Sequence, residues 1–391
     1  MESPIEVSAV RVRDLAWTFF KIGATSYGGP AIVGRIREVC VLQKKWLSGG
    51  EFEETLAFCQ TLPGPIAVQT AAHIGWRKAG NRGLFVSLVA YILPTFLLML
   101  LLSWAYFRFG GVPLVGSIFK GLGAAVVGIV AQAILGLANS ALKDLKGILI
   151  ACLAAGALLL GMSALLVLLG SALVAVVLKA GRPRTRPPEA AERRSRPAWE
   201  WLVASALIFA AAAWLCGRLN PKLPELALVM AKVDLLAFGG GYTAVALMFD
   251  LVVHGQAWLA PKAFVDGLAL SQVTPGPVIV NATFIGYAVG GFLGAAVGTA
   301  AVFMPSALLL AALAPYYERL VALPVTGALV RGLLAAFIAL LFQVLWRVAS
   351  ESIVDVPAAA IAVTAFVLLI KKVNPLWIIA CAAALSPFLF K

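Results

Sequence analysis

The sequence predicts an all-α, polytopic membrane protein with about 13 transmembrane helices in two inverted-topology repeats with broken helices. Three observations predict this: an apolar composition, a match between the two halves of the chain, and an odd number of apolar segments. The 391 residues are 62% hydrophobic and 13% charged, whereas soluble domains are roughly 45–50% apolar and about 25% charged. With a mean hydropathy of +0.96, the composition excludes a soluble enzyme and a disordered chain.

The internal repeat appears when the sequence is compared with itself at an offset of 212 residues. Gln60 then aligns with Gln272, and the Pro63-Gly64-Pro65 motif aligns with Pro275-Gly276-Pro277. A single deletion changes the offset to 211, and the match continues. Trp46 and Trp258, and Phe52 and Phe264, also align at the offset of 212. The pairs aligned at the offset of 211 are Gly75 and Gly286, Gly83 and Gly294, Pro94 and Pro305, Gly121 and Gly332, and Lys120 and Arg331. The match predicts one transporter repeat in residues 1–179 and a second in 224–391.

Apolar segments predict the helices in chain order. They cover 12–38, 52–79, 83–108, 113–141, 147–161 and 163–179 in the first repeat, and 225–251, 263–290, 292–315, 324–347, 356–371 and 374–390 in the second. A basic linker, 180–198, and one extra apolar helix, 199–216, lie between the repeats. Six spans return the chain to its starting side, so the extra span gives the second repeat the opposite orientation.

The net charge of +13 is best explained by membrane orientation. Lysine and arginine concentrate in alternate predicted loops, which places the N-terminus and the linker 180–198 in the cytoplasm. This distribution removes the reason to expect a nucleic-acid partner. Lys44 and Lys45 fall on the opposite side, which leaves open whether the segments 12–38 and 52–79 are fully spanning or re-entrant.

Two pairs of motifs interrupt the apolar segments. Tyr27-Gly28-Gly29-Pro30 corresponds to Gly239-Gly240-Gly241-Tyr242, and the two Pro-Gly-Pro motifs correspond to each other. Proline and glycine break helices, and the freed backbone groups must face protein or a polar cavity within a membrane. Half-helices that start after the breaks direct free N–H groups and positive dipole ends inward, which predicts an anion site near the midplane. The alternative is that the motifs only kink helices for packing.

Polar groups gather around these breaks and are the candidate anion ligands. They are Thr25, Ser26, Gly28, Gly29, Gln60, Thr61, Pro63, Gly64, Pro65, Gly240, Gly241, Tyr242, Gln272, Thr274, Pro275, Gly276, Pro277 and Asn281. In particular, backbone N–H groups near Gly29, Gly64, Gly241 and Gly276 are expected to bind the anion. Lys21, Arg35 and Lys232 lie within apolar segments and are expected to offset the anion's charge. Snorkelling to the headgroups is the alternative for these cations.

Three acids are candidates for proton coupling. Asp234 lies in the helix that leads to the second glycine motif, and Glu54 and Asp266 are repeat equivalents at the start of the Pro-Gly-Pro helices. An ordinary helix-start charge is the alternative for the last two. No metal site or cofactor is predicted. With only two histidines, and without a catalytic motif at membrane depth, a transporter is favoured over an intramembrane enzyme.

Four stretches together resemble the chromate ion transporter family in its long-chain, two-domain form. They are residues 20–30 (FKIGATSYGGP), 58–65 (FCQTLPGP), 238–242 (FGGGY) and 271–277 (SQVTPGP). The resemblance implies chromate export across the bacterial inner (plasma) membrane, driven by the proton-motive force, with sulfate as a structural analogue. A sulfate or other oxyanion permease and an uncoupled anion channel are the alternatives, because chromate and sulfate share charge and tetrahedral shape. GxxxG-like spacings fit a homodimer as well as packing within one chain.

Overall fold

The computed structural model describes residues 10–27, 29–110, 112–178, 199–316 and 324–390. Within these residues there are fifteen α-helices and no β-strand, which confirms the predicted all-α class. The linker 180–198 and Gly28 lie outside the described residues.

Seven helices form the first repeat, and an eighth connects it to the second. They are α1 (Val12–Thr25), α2 (Gly29–Arg37), α3 (Gly49–Cys59), α4 (Ile66–Phe109), α5 (Pro113–Ala141), α6 (Leu145–Leu159), α7 (Ala164–Val177) and the connecting helix α8 (Trp199–Leu219). A π-helical turn, Glu38–Gln43, continues α2.

The second repeat contains the same series of seven helices. They are α9 (Lys222–Leu236), α10 (Gly241–Phe249), α11 (Pro261–Val273), α12 (Asn281–Leu313), α13 (Pro324–Ser352), α14 (Val356–Ile370) and α15 (Pro375–Leu389). A π-helical turn, Asp250–Gly255, continues α10 as its equivalent continues α2. Short 3-10 turns, Val278–Val280 and Ala314–Tyr316, flank α12.

Helices α4 and α12 each fold back on themselves at an internal kink. The backbone leaves helical geometry at Ala79–Gly80 and at Gly290–Gly291. A Cβ on Gly83 would collide with the carbonyl oxygen of Gly75, although residues eight apart in a straight helix are separated by about 12 Å. Each helix is therefore a tight antiparallel hairpin, and its turn separates segments that the sequence predicts as distinct helices.

The broken helices are real interruptions. Each of the predicted segments 12–38, 52–79, 225–251 and 263–290 is divided into two shorter helical pieces. Helix α1, for example, has 14 residues and a length of about 21 Å, which is shorter than the hydrocarbon core of about 30 Å. Among the described helices, α4, α5, α12 and α13 are long and apolar enough to cross a membrane. The count of thirteen spans stays a prediction.

The two repeats interlock. Helix α1 packs on α4 and α9 packs on α12, and α4 also contacts α12 across the repeats. In a second bundle, α5 packs against α14 and α15, while α13 packs against α6 and α7. Each bundle thus combines equivalent helices from both repeats, which brings breaks that are distant in sequence close together.

Candidate functional site

The breaks of the two repeats are joined by a reciprocal pair of hydrogen bonds. The backbone N–H of Gly64 donates to the carbonyl of Ala237 at 2.7 Å, and that of Gly276 donates to the carbonyl of Ser26 at 2.7 Å. Ala237 and Ser26 directly follow α9 and α1. Each Pro-Gly-Pro motif therefore binds the end of the first helix of the other repeat, so that these breaks meet in one buried region. We call this region, formed around Ser26, Gly64, Ala237 and Gly276, the crossing.

Both glycines of the crossing have left-handed backbone, and both pack closely against the opposite repeat. Gly64 has φ 108° and Gly276 has φ 106°. A Cβ on Gly64 would lie 2.7 Å from Ser306 Oγ, and a Cβ on Gly276 would overlap Thr95 Oγ1. Thr95 and Ser306 follow Pro94 and Pro305, which align in the repeat, so the hydroxyls occupy equivalent places. Sequence reasoning missed them, although a hydroxyl after each matched proline was a usable signal.

The N–H groups of the two glycines are not available to a ligand in this conformation. The N–H groups of Gly64 and Gly276 were expected to bind the anion, but in this conformation both already donate to protein carbonyls. Donors for a ligand must therefore come from neighbouring groups. One source is α10, whose first N–H groups have no acceptor within the helix. Its first residue, Gly241, lies beside the backbone of Val278 and Ile279, just after the second Pro-Gly-Pro motif.

Buried polar side chains lie on the segments that flank the breaks. Gln69 Nε2 donates to the carbonyl of Pro63, and the Tyr242 hydroxyl lies 3.5 Å from Gln272 Oε1. Several polar atoms have no protein hydrogen-bond partner within the part of the chain that the structure describes. These are Ser26 Oγ, Gln69 Oε1, Thr95 Oγ1, Asp234 Oδ1, Gln272 Nε2 and both terminal atoms of Asn281. Because an unpaired buried polar atom is costly, such a cluster favours a polar ligand or water there.

The other candidate hydroxyls serve their own helices. The side chains of Thr25, Thr61 and Thr274 donate to the carbonyls of Lys21, Phe58 and Ser271, respectively. These hydroxyls thus bond to carbonyls in the last turns of α1, α3 and α11, a common local role of threonine. Thr25 is also exposed, on the face of α1 opposite its buried side. Ser26 alone among the predicted hydroxyls is both buried and without a protein partner within the described residues.

The three expected cations are not brought to the crossing. Lys21 is exposed, and its Nζ lies 4.9 Å from the ring centroid of Trp17. Lys232 lies on an exposed face of α9 with Leu228. Arg35 forms an exposed ion pair with Glu38 at 2.7 Å. Apolar periodicity had placed these charges inside helices without showing which way they faced.

The acids divide into one buried at the crossing and two held in ion pairs. Asp234 is fully buried, and its Oδ2 accepts a hydrogen bond from the N–H of Ser306 at 2.7 Å. Since Ser306 packs on Gly64, this carboxylate belongs to the crossing region.

The other two acids have basic partners. Asp266 accepts hydrogen bonds from Lys262 at 2.9 Å and from the hydroxyl of Tyr106 at 2.8 Å. Glu54 lies 3.6 Å from Arg77. These contacts favour the alternative of structural charges for Asp266 and Glu54, and their part in proton coupling stays a prediction.

Comparison with known proteins connects this architecture to a family. The sequence pattern of the chromate transporter family matches residues 13–177 and 224–386, one match in each repeat. The chromate transport protein of Cupriavidus metallidurans is 33% identical, over 96% of this chain and 92% of its own length. An uncharacterized transporter of Methanocaldococcus jannaschii is 31% identical over 94% and 92%, and a probable chromate transport protein of Synechococcus elongatus is 30% identical over 92% and 90%. No solved structure matches the chain significantly.

The two matched regions coincide with the two structural repeats, and α8 lies outside both. The similarity to these relatives extends over nearly the whole chain. The protein therefore belongs to the chromate transporter family, a family of membrane transporters rather than enzymes.

Proposed function

We propose that the protein is a secondary transporter that exports chromate across the inner membrane of a bacterium, with its N-terminus in the cytoplasm. Family membership supports chromate as the substrate. The observation that carries the proposed site is the meeting of the breaks from both repeats among buried polar atoms that lack protein partners within the described residues. Inverted-repeat transporters bind their substrates at such a place.

Neutral donors hold the anion in this proposal. Gln272, Asn281 and the hydroxyls of Ser26 and Thr95 supply side-chain donors, and the N-terminus of α10 supplies backbone N–H groups with a positive dipole end. A tetrahedral dianion such as chromate has oxygens on all sides, which suits donors converging from both repeats. Sulfate has the same charge and shape, so it competes for the same groups.

Asp234 gives the site a proton-sensitive element. A buried carboxylate and a bound dianion repel each other strongly in a medium of low dielectric constant. Chromate binding therefore favours the protonated form of Asp234, and the proton accompanies the anion. The complex still carries net negative charge. The inside-negative membrane potential consequently drives it outward, with about 2.3 kcal/mol per charge for each 100 mV.

Chromate uptake into inverted membrane vesicles tests the site. Asn281→Val removes the buried amide while approximately keeping its volume, and we expect the KM for chromate to rise about tenfold because a hydrogen bond to a charged group is lost. Lys232→Gln is the matched control, since this side chain is exposed on α9 whereas that of Asp234, two residues further on, is buried, and its KM should be unchanged. An unchanged KM for Asn281→Val, or a large change for Lys232→Gln, contradicts the proposed site.

Competition separates chromate export from general oxyanion transport. We expect unlabelled sulfate to inhibit chromate uptake competitively. Phosphate, which carries protons at neutral pH and so presents donors to the site, should inhibit much less. Sulfate uptake that is faster than chromate uptake at equal concentration would instead favour a sulfate permease.

A further inference from the structure

One ion pair joins the two repeats at the start of α6. Arg331 Nη1 of α13 lies 2.9 Å from Asp144 Oδ2, and the Arg331 side chain is only 14% exposed. Asp144 also caps α6, because its Oδ1 accepts a hydrogen bond from the N–H of Gly147 at 2.9 Å. The carboxylate is thus fixed by the first repeat and bound by the second.

The equivalent residues of the other half do not form this contact. At the offset of 211 residues, Lys120 corresponds to Arg331 and Asp355 corresponds to Asp144. Asp355 caps α14 in the same way, accepting from the N–H of Ala358 at 2.9 Å. Lys120 and Asp355 are both exposed, and neither makes an ion pair within the described ranges. Both repeats therefore have the acidic helix cap and the basic residue, but in this conformation, of the two equivalent sets, only Asp144 and Arg331 form an ion pair among the described residues.

The two sets of charges are expected on opposite faces of the membrane. Inverted repeats place equivalent residues at opposite ends of the molecule, so the starts of α6 and α14 face different sides. Lys120 and Asp355 lie on neighbouring parts of the structure. Gly123, one turn after Lys120, packs against Ser352, which is three residues before Asp355: a Cβ on Gly123 would lie 3.0 Å from Ser352 Oγ. Helix α5, which carries Lys120, also packs on α14.

We propose that the two pairs form alternately and that each holds one face of the transporter closed. If the repeats exchange conformations as the binding site changes its exposure, the Asp144–Arg331 contact breaks and the Lys120–Asp355 contact forms. This inference rests on the proposed transport cycle but not on the identity of the anion. An ion pair of this partly exposed kind contributes modestly to stability, so its loss shifts the balance between conformations rather than unfolding the chain.

Chemical crosslinking of the second pair tests the alternation. The parent protein carries Lys120→Cys and Asp355→Cys, with alanine in place of Cys40, Cys59, Cys152, Cys216 and Cys381. A short bifunctional thiol reagent then reports how often positions 120 and 355 approach each other. Adding Asp144→Asn, which keeps a good helix cap, or Arg331→Gln should raise the crosslinked yield about fivefold, as expected for a shifted two-state equilibrium.

Two further variants make the result specific. Arg331→Lys keeps the charge and should leave the yield near that of the parent. Lys146→Gln removes a charge two residues from Asp144 whose Nζ donates to the carbonyl of Leu178 within the same repeat, and it should also leave the yield unchanged. Equal yields for the parent, Asp144→Asn and Arg331→Gln, in protein that elutes as a single species, would overturn the proposal. A rise in yield with both variants supports alternation even if chromate uptake fails, and that failure would count only against the proposed substrate.

Discussion

At the scale of single residues, Gly64 and Gly276 define the geometry of the candidate site. Each adopts a left-handed φ, each donates a hydrogen bond to the other repeat, and each leaves no room for a Cβ. The sequence showed that these glycines matter because they recur between prolines. It could not show that their amides are already bonded, because the acceptors, Ala237 and Ser26, lie far away in sequence and in the other repeat.

Gly276→Ala should reduce chromate uptake by about tenfold or more. A left-handed alanine costs roughly 1–2 kcal/mol, and its Cβ would also displace Thr95 from its place in α4. Gly136→Ala is a suitable control because a Cβ there meets nothing within 4 Å, and uptake should match wild type. Equal initial rates of uptake for the two variants would show that the crossing is not needed for transport.

Asp234→Asn should keep chromate transport but remove its dependence on pH. In the wild type, uptake should fall as the pH rises, because the ionised carboxylate repels the dianion. Asparagine is neutral at every pH and resembles the protonated acid in shape. Initial rates measured across a series of pH values, with equal pH on both sides of the vesicle membrane, compare the two proteins. Asp266→Asn provides the contrast, since its carboxylate has a lysine partner, and a profile that Asp234→Asn leaves unaltered would assign the titration to another group.

At the scale of secondary structure elements, the hairpins within α4 and α12 hold the crossing in place. Their two arms approach closely enough for glycine backbones to touch at Gly75 and Gly83, and again at Gly286 and Gly294. Glycine at these matched positions was visible in the sequence as part of the repeat. Apolar periodicity separated the arms into distinct segments, but it could not show how closely they pack.

Gly83→Val should lower the thermal stability of the purified protein. The added side chain would push the arms of α4 apart, and such overpacking typically costs about 1–3 kcal/mol. Gly156→Val in α6 is the matched substitution at a position where a Cβ meets nothing within 4 Å. The melting temperature in detergent should fall clearly for the first variant and change little for the second, because valine is no poorer a helix former than the glycine that it replaces. A similar fall in both would mean that close contact at the hairpin does not set the stability.

At the scale of the whole molecule, each bundle combines helices of both repeats, and the proposed transport cycle moves one bundle against the other around the crossing. Because the anion carries two charges and meets no paired cation at the crossing within the described residues, its movement across the membrane carries charge. If chromate is carried as proposed, the membrane potential is expected to act on the transported complex directly.

The contributions of the membrane potential and of the pH gradient to chromate uptake can be measured separately in energised inverted vesicles. Collapsing the potential with valinomycin and potassium should lower chromate uptake about tenfold or more, since each charge is worth about 2.3 kcal/mol per 100 mV. Collapsing only the pH gradient with nigericin should not lower uptake, because the proton on Asp234 moves with the anion. A fall in uptake with nigericin would indicate exchange of protons for chromate.

By itself the sequence determined the fold class, the repeat and the four helical segments that are broken in the described part of the chain, because these depend on local chemistry: apolar length, proline, glycine and their recurrence in register. Only the tertiary structure decided which groups face the site. Periodicity put Trp17, Lys21 and Thr25 on one face of α1, but packing turned that face outward. Thr95 and Ser306 entered the site from the opposite repeat. Contacts between residues far apart in sequence depend on how the bundles assemble, and no local pattern records that arrangement.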